Sequence, residues 1–582
     1  MSRRRLLLLV AGPISAVLLV VGLLLGWRAL QVNGALQQSV RDAETLRTAL
    51  ESGDQADVDD ALTALQSSAG DARDLTDGVI WSVGTWVPVV GDDARGVRTV
   101  SRVLAALSED GLPPLAEVAT DLDRLVPQGG RIDLAAVTSL EEPVSTAGAA
   151  LRSAQTELAT EDPAGFVGRL RTEYRRLAGI VEDAASAVDA ADVAVDLLPD
   201  LLGGQERREY LLVFQNNAEL RATGGLPGAM ALVTAENGAL ELTRQDTAVA
   251  FGERATPVVP LTRDEREVFG DKLGTYIQDA NFTPDWPRAA ELIEARWEEK
   301  YSQDDLDGVL TVDTVALSYL LGATGPLEVG PYTLTPENAV DVLLNQVYLD
   351  LEDPGAQDVI FSQVARTVFD AVADGQVERP RELLRALVRA GQEGRLYAAL
   401  DDPAEQERLA GRRITGASDG PGLEAGVVDV SLLDGTGSKM SYYLDYRVRA
   451  TVTSCTADWT KLRISARLVS VPPANPSTLP PSIAGGSNTS TSPGNQLVQV
   501  RLMTPRRSKI TGFTIRGKKY GPRQLFLEDR QVSTAYLLLE PDQPADVEWT
   551  IRIGGDWSRL PVRVTPGIRA VDYSRVLARP CH

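Results

Sequence analysis

The densest run of residues able to recognise a ligand is Gln215-Asn216-Asn217-Ala218-Glu219-Leu220-Arg221-Ala222-Thr223-Gly224-Gly225. It follows Tyr210-Leu-Leu-Val-Phe214, an apolar run of the buried-strand type. Folds of the α/β class place ligand sites beyond the carboxyl ends of their strands. In that position Arg221 would offer a two-pronged guanidinium to a phosphate, and Gly224-Gly225 would let backbone N–H groups approach an anion. Gln215, Asn216, Asn217 and Thr223 would add polar contacts. The same residue types also make a purely structural turn, with the amides satisfying backbone groups and Arg221 paired with Glu219 or another acid. A second acidic group, Asp304, Asp305 and Asp307, has the oxygen ligands that Mg²⁺ or Ca²⁺ takes. It lacks the glycine and terminal glutamate of an EF-hand loop, so it reads as a solvated turn before a strand and no metal ligand set is assigned.

What is missing narrows the chemistry. The one histidine, His582, is the last residue. Ser-His-Asp triads, Cys-His dyads and His-ligated zinc all need an internal imidazole. The formal net charge of −23 repels a polyanion, which argues against nucleic acid as a partner. Cys455 and Cys581 are too few for a zinc ribbon, and would form one disulfide in an oxidising compartment.

The compartment is read from the N-terminus. Arg3, Arg4 and Arg5 precede the charge-free run Leu6–Trp27, 22 residues long. At about 1.5 Å per residue it is long enough for a bilayer core, and longer than the usual apolar part of a cleaved signal peptide. A single-pass signal anchor is expected, spanning residues 1–28 with its cytoplasmic tip. The excess of arginine before the span puts the N-terminus inside and the bulk outside the cytoplasm. Trp27 fits the interfacial belt. Gly22-Leu-Leu-Leu-Gly26 has the GxxxG spacing that would let two such helices form a homodimer, although glycine is also simply common in membrane helices. The second apolar stretch, Ile80 to Val90, is short and holds Pro88, which suits a buried loop or an interfacial segment.

The elements that must position these residues fall into three regions. Residues 29–204 read as all-α and membrane-proximal. Leu36, Val40, Ala43, Leu46 and Leu50 form one helical stripe, Ser52-Gly53-Asp54 a break, and Val58, Ala61, Leu65, Ala69 and Ala72 a second stripe. Residues 205–415 read as a mixed α/β core. Asn237-Gly238 marks a tight hairpin turn, and Asp313 caps a helix that Gly322 is placed to end. Residues 425–582 alternate in strand fashion as a β-sandwich, and the Pro/Ser/Thr/Gly/Asn-rich stretch 472–495 reads as a disordered loop. The expected fold class is therefore a multidomain α+β chain: transmembrane helix, helical stalk, α/β core, β-sandwich.

The string from Tyr210 to Gly225 also resembles the hallmark of a bacterial family of unknown function, DUF4012. Asn281–Pro287, Leu306–Pro326, Asn345–Tyr348 and Ser438–Leu444 are similar as well, so the resemblance covers roughly residues 75–450. It implies a single-span envelope protein with no assigned activity. A weaker similarity is to the LytR–CpsA–Psr transferases, which move glycopolymers from a polyprenyl pyrophosphate lipid to the cell wall. It is carried by Asp307–Val329. Those enzymes hold the pyrophosphate with arginines and a metal-binding aspartate. By residue type the counterparts here are Arg221, Arg366 and the short match Arg244-Gln-Asp246-Thr247.

Two functions follow as expectations. The first is a membrane-anchored extracytoplasmic envelope protein, a scaffold or accessory factor in cell-envelope or surface-polysaccharide assembly, with an envelope glycopolymer or lipid-linked precursor as partner. The alternative is a metal-dependent glycopolymer transferase using Mg²⁺. The transferase needs Arg221, Arg244, Arg366 and Asp246 to converge on one cleft.

Overall fold

The computed structural model describes residues 3–569 and 574–577, without 53, 89, 425, 457, 486–490, 522–524 and 555–560, and without the side chains of 3–21, 51–52, 120–123 and 574–577. The chain is mixed α and β. It divides into two compact units, residues 1–125 with 133–199, and residues 126–132 with 200–582.

The first unit is helical, beginning with α1 (Arg3–Ser52), α2 (Gln55–Asp77), α3 (Val79–Gly84) and α4 (Gly91–Ala106). α1 ends at Ser52 and α2 starts at Gln55; Gly53 of the expected break lies outside the described residues. Asp54 caps α2 by accepting from the backbone N–H groups of Ala56 and Asp57. The expected α2 stripe is buried. On α1, Leu46 of the expected stripe is buried and Leu36 and Leu50 are half-buried, but Val40 and Ala43 are exposed and the buried face is completed by Val32, Ser39 and Ala49. Val32, Ser39 and Leu46 recur every seven residues, the period of a helix–helix seam, and a stripe chosen by counting apolar residues drifts off that seam. The run Leu6–Trp27 falls within α1, and the side chains of residues 6–21 lie outside the described set. Among the described residues no helix is long and apolar enough to cross a membrane.

The second unit starts from a five-stranded sheet with β1 (Arg208–Arg221), β2 (Gly224–Glu236), β3 (Ala239–Thr247) and β4 (Gly308–Asp313). Their order is β3-β2-β1-β4, closed by the strand Leu396–Leu400. β1 pairs parallel to β4, from Tyr210 opposite Gly308 to Gln215 opposite Asp313, and antiparallel to β2. Asn237 and Gly238, with φ of 50° and 82°, make the β2–β3 turn. Asp313 does cap the helix Thr314–Thr324 by accepting from the Ala316 N–H. Gly322 lies inside that helix, which ends at Gly325 (φ 83°), the residue free to adopt the left-handed conformation.

A six-stranded and a second five-stranded sheet form the sandwich, sharing one core of alternating residues such as Val430, Val500, Ile464 and Trp549. Its strands include Gln496–Met503, Leu444–Cys455 and Trp459–Ser470. Val428–Asp434 is buried on both faces, so it does not alternate. The α/β core and sandwich belong to one compact unit. Leu220 of β1 lies in the sandwich core, and Met503 and Val532 of the sandwich lie in the α/β core. The stretch 472–495, expected as a disordered loop, includes residues 486–490, which lie outside the described set. Its described residues hold a 3₁₀ turn (Pro476–Thr478) and a short helix (Pro481–Ala484) whose Ile483 is buried beside Tyr348, Met440 and Tyr443. One buried isoleucine outweighs a polar composition. Cys455 is disulfide-bonded, and Cys581 lies outside the described residues.

Candidate functional site

The polar run is not a loop beyond a strand. Gln215–Arg221 is the second half of β1, Ala222-Thr223 is the turn after it, and Gly224-Gly225 open β2. Pairing with β2 shifts register between Val213 and Gln215, and again between Asn216 and Leu220. Such bulges re-aim side chains that regular alternation would send elsewhere. The two glycines exist for packing. A Cβ on Gly225 would stand 2.3 Å from the Asn216 carbonyl carbon, and one on Gly224 2.7 Å from Gln215 Oε1. The Gly225 N–H, which an anion would need, donates to Gln215 Oε1 at 2.8 Å.

Each polar side chain of the run finds a partner in another element. Gln215 donates to Thr311 Oγ1 on β4 at 2.7 Å. Asn216 donates to the Tyr348 hydroxyl at 2.5 Å, and Asn217 to Asp313 Oδ2 at 3.0 Å. Asn281 donates to Thr223 Oγ1 at 2.9 Å and to the Gly225 carbonyl at 2.8 Å. Asp313 also accepts from Arg395 Nη1 at 2.8 Å, and both side chains are almost fully buried. Arg395 Nη2 in turn donates to the carbonyl of Gly567, past the last strand of the second five-stranded sheet.

Arg221 sits in the middle of this seam. Nη1 donates to the Leu220 carbonyl at 3.0 Å, and Nη2 to Glu219 Oε1 and Asp279 Oδ1, each at 3.2 Å. Its guanidinium lies 5.2 Å from the Phe282 ring centroid, and Nε has no partner among the described residues. Burial works against the charge, but Glu219 and Asp279 outweigh it and hold the guanidinium above its ordinary value. Burial pushes Asp279 up in spite of Arg221. Burial, then the nearby Glu219, push Asp434 up to about 6. Its carboxylate accepts from the N–H groups of Gly437 and Ser438.

The other sequence candidates lie elsewhere. Arg244 is half-buried over the Tyr301 ring (4.5 Å) and pairs with Asp304, which also accepts from Trp297 Nε1. Asp246 accepts from Lys300, Tyr301 and the Thr247 N–H. Burial opposes its charge, but these three bonds hold it below the usual carboxylate range. Arg366 is exposed on the helix Pro354–Ala373. Asp304 and Asp307 face different partners, Asp307 accepting from Arg208 and the Glu209 N–H. Among the described residues no group of three or more Asp, Glu, His or Cys is placed to hold a metal.

A cavity of about 240 Å³ opens beside the seam, at the carboxyl ends of the parallel pair β1 and β4. Phe214, Leu317, Leu343, Phe361, Val364 and Ala365 make its apolar wall, and Gln215, Asn216 and Tyr348 lie along it. Lys439 and Asp358 are its charged lining residues. Arg221, Arg244, Asp246 and Arg366 are not among those residues, so this cavity does not gather them. Sequence reasoning missed Asp279, Asp313 as a seam residue, Arg395, Asp434 and Lys439, because their partners are distant in the chain. Asn281, Tyr348 and Lys439 do stand in the strings that carry the family resemblance.

Residues 205–348 match the family described as "Protein of unknown function (DUF4012)", a narrower span than the sequence reading gave. No curated protein and no solved structure matches the chain.

Two outcomes are expected in urea unfolding. Arg221→Ala strands the carboxylates of Glu219 and Asp279, so it should cost roughly 3–5 kcal/mol, and Arg221→Lys less. Asp434 keeps its proton in the folded state up to about pH 6. In the unfolded chain it loses the proton near its ordinary value. Its contribution therefore falls as pH rises from about 4 to about 6, by roughly 1.4 kcal/mol per pH unit at most, and is flat above. The difference in stability between wild type and Asp434→Asn should show that slope.

Proposed function

With residues 205–348 matching DUF4012, we propose that the chain is a membrane-anchored extracytoplasmic envelope protein. In this reading it is a non-enzymatic scaffold or accessory factor in cell-envelope or surface-polysaccharide assembly. One observation carries the non-enzymatic part. The Nη1 and Nη2 edge of Arg221 is taken up by Leu220, Glu219 and Asp279 of its own fold. A phosphate clamp needs that edge facing open space.

The anchor is supported by the charge-free run Leu6–Trp27 behind three arginines, which favours an inside N-terminus and an extracytoplasmic bulk. A homodimer through Gly22 and Gly26 is supported by the open space there: among the described residues no atom lies within 4 Å of a Cβ built on either glycine. The transferase alternative keeps one supporting feature, the apolar cavity. Its wall suits an isoprenoid, Lys439 a phosphate, and Asp358 a Mg²⁺ shared with that phosphate.

Thermal melts of the full chain with a polyprenyl pyrophosphate and Mg²⁺ separate the readings. The scaffold predicts no turnover and no rise in melting temperature. A rise that Lys439→Ala abolishes, with pyrophosphate-bond cleavage, would establish the alternative instead. Protease added to spheroplasts should digest residues beyond 28, and full protection of residues 200–582 would overturn the topology.

A further inference from the structure

The first unit carries an apolar knob that its own fold leaves uncovered. Residues 78–91 hold no charge, in a chain with a net charge of −23. They include α3 and the turn after it. Trp86 is 88% exposed and Val79 82%, and Val83 and Val90 are exposed as well. The knob is nevertheless built rigidly. Trp81 is buried and donates to the Ala94 carbonyl at 2.9 Å. Arg98 donates to Ser82 Oγ, and Arg95 to the Thr85 carbonyl. Three backbone N–H groups of the turn are paired within it, Trp86 N–H to Val83, Val87 N–H to Gly84 and Gly91 N–H to Val87. Backbone that is already paired loses little on entering an apolar medium, whereas open loops pay for each unpaired group.

The knob's place decides what covers it. A Cβ on Gly84 would stand 3.1 Å from Leu25 Cδ2 of α1, and one on Gly78 3.5 Å from Arg28 Nη2. The knob therefore lies level with the last turn of the run Leu6–Trp27. Leu23, Leu24, Trp27 and Leu30 are themselves exposed there. Arg28, the first charge after the run, sits at the base of α3, where its guanidinium can reach headgroups while its stem packs on apolar surface. Tryptophan with a free indole N–H and an apolar body is the side chain best suited to that depth.

We propose that Val79, Val83, Trp86 and Val90, carried by α3 and the turn after it, form a second membrane contact, an interfacial knob that lies in the headgroup–acyl boundary beside the N-terminal span. It would fix the tilt and rotation of α1 at the bilayer surface, which a single span alone leaves free. The inference rests on the N-terminal anchor reading and adds a contact to it. The occupant is lipid, and a second copy of the chain is the competing cover.

The test uses the full chain in phosphatidylcholine–phosphatidylglycerol vesicles made with brominated lipids. An environment-sensitive fluorescent amino acid replaces Trp86, Leu24 or Arg176, the last an exposed position on the helix Gly168–Leu201, outside the knob. The probe at 86 should be quenched and blue-shifted along with the one at 24, and the probe at 176 should not respond. Quenching at 24 without quenching at 86 would overturn the knob and leave the anchor. No quenching at either would overturn both. A blue shift at 86 that appears only with chain–chain association, and without lipid quenching, would assign the knob to a second copy and reject the lipid contact.

Discussion

A guanidinium or carboxylate taken out of water costs several kcal/mol unless opposite charge and hydrogen bonds replace its hydration. Around β1 the chain buries Arg221, Asp279, Asp313, Arg395 and Asp434 together. Those costs are offset only when every element that supplies a partner is in place. The list runs through β1, β4, the turn at Ile277–Phe282, the strand Leu396–Leu400 and the sandwich strand Val428–Asp434. A second seam centres on the sandwich: Asp429 accepts from both Arg530 and Arg563, all three buried or nearly so, and Arg563 also donates to the carbonyl of Gly416, which accepts from the Trp286 N–H of the α/β core. Together the two seams explain why the α/β core and the sandwich form one unit. Apolar contact alone tolerates sliding, whereas these bonds have one register.

The sequence was most informative where the determining forces are local. Asp313 as a cap and Asn237-Gly238 as a turn are set by the residues beside them, and each is found as read. It was least informative where partners are far apart. Asn217 and Asp313 are separated by 96 positions, Arg221 and Asp279 by 58, and Asn217 and Pro566 by 349. Nothing local marks such pairs. The same distance explains the placement of the polar run. A strand of amides and charges violates the period-two pattern unless a third layer covers it, and here the sandwich does.

The run Gln215–Gly225 shows how a string rich in chemistry-bearing residues can serve the fold first. Its glycines clear space for a crossing backbone, its amides cross-link sheets and its arginine neutralises two acids. The cavity beside it uses the other edge of the same residues, Gln215 and Asn216, and its walls come from helices outside the run. Any ligand chemistry in this unit is therefore better sought at Lys439 and Tyr348 than at Arg221. Lys439 lies 4.8 Å from the Tyr348 ring centroid and 3.8 Å from Glu219, so cavity and seam share charges.

The most direct measurement is a double-mutant cycle between Arg221 and Asp279, read by urea unfolding with Arg221→Met and Asp279→Leu singly and together. If the pair locks the seam, each single variant is strongly destabilised and the two couple by about 1–3 kcal/mol, because the second change removes a charge that the first left stranded. Coupling near zero, with both single variants within about 0.5 kcal/mol of wild type, would contradict a structural role for Arg221 and return it to the list of ligand-binding groups.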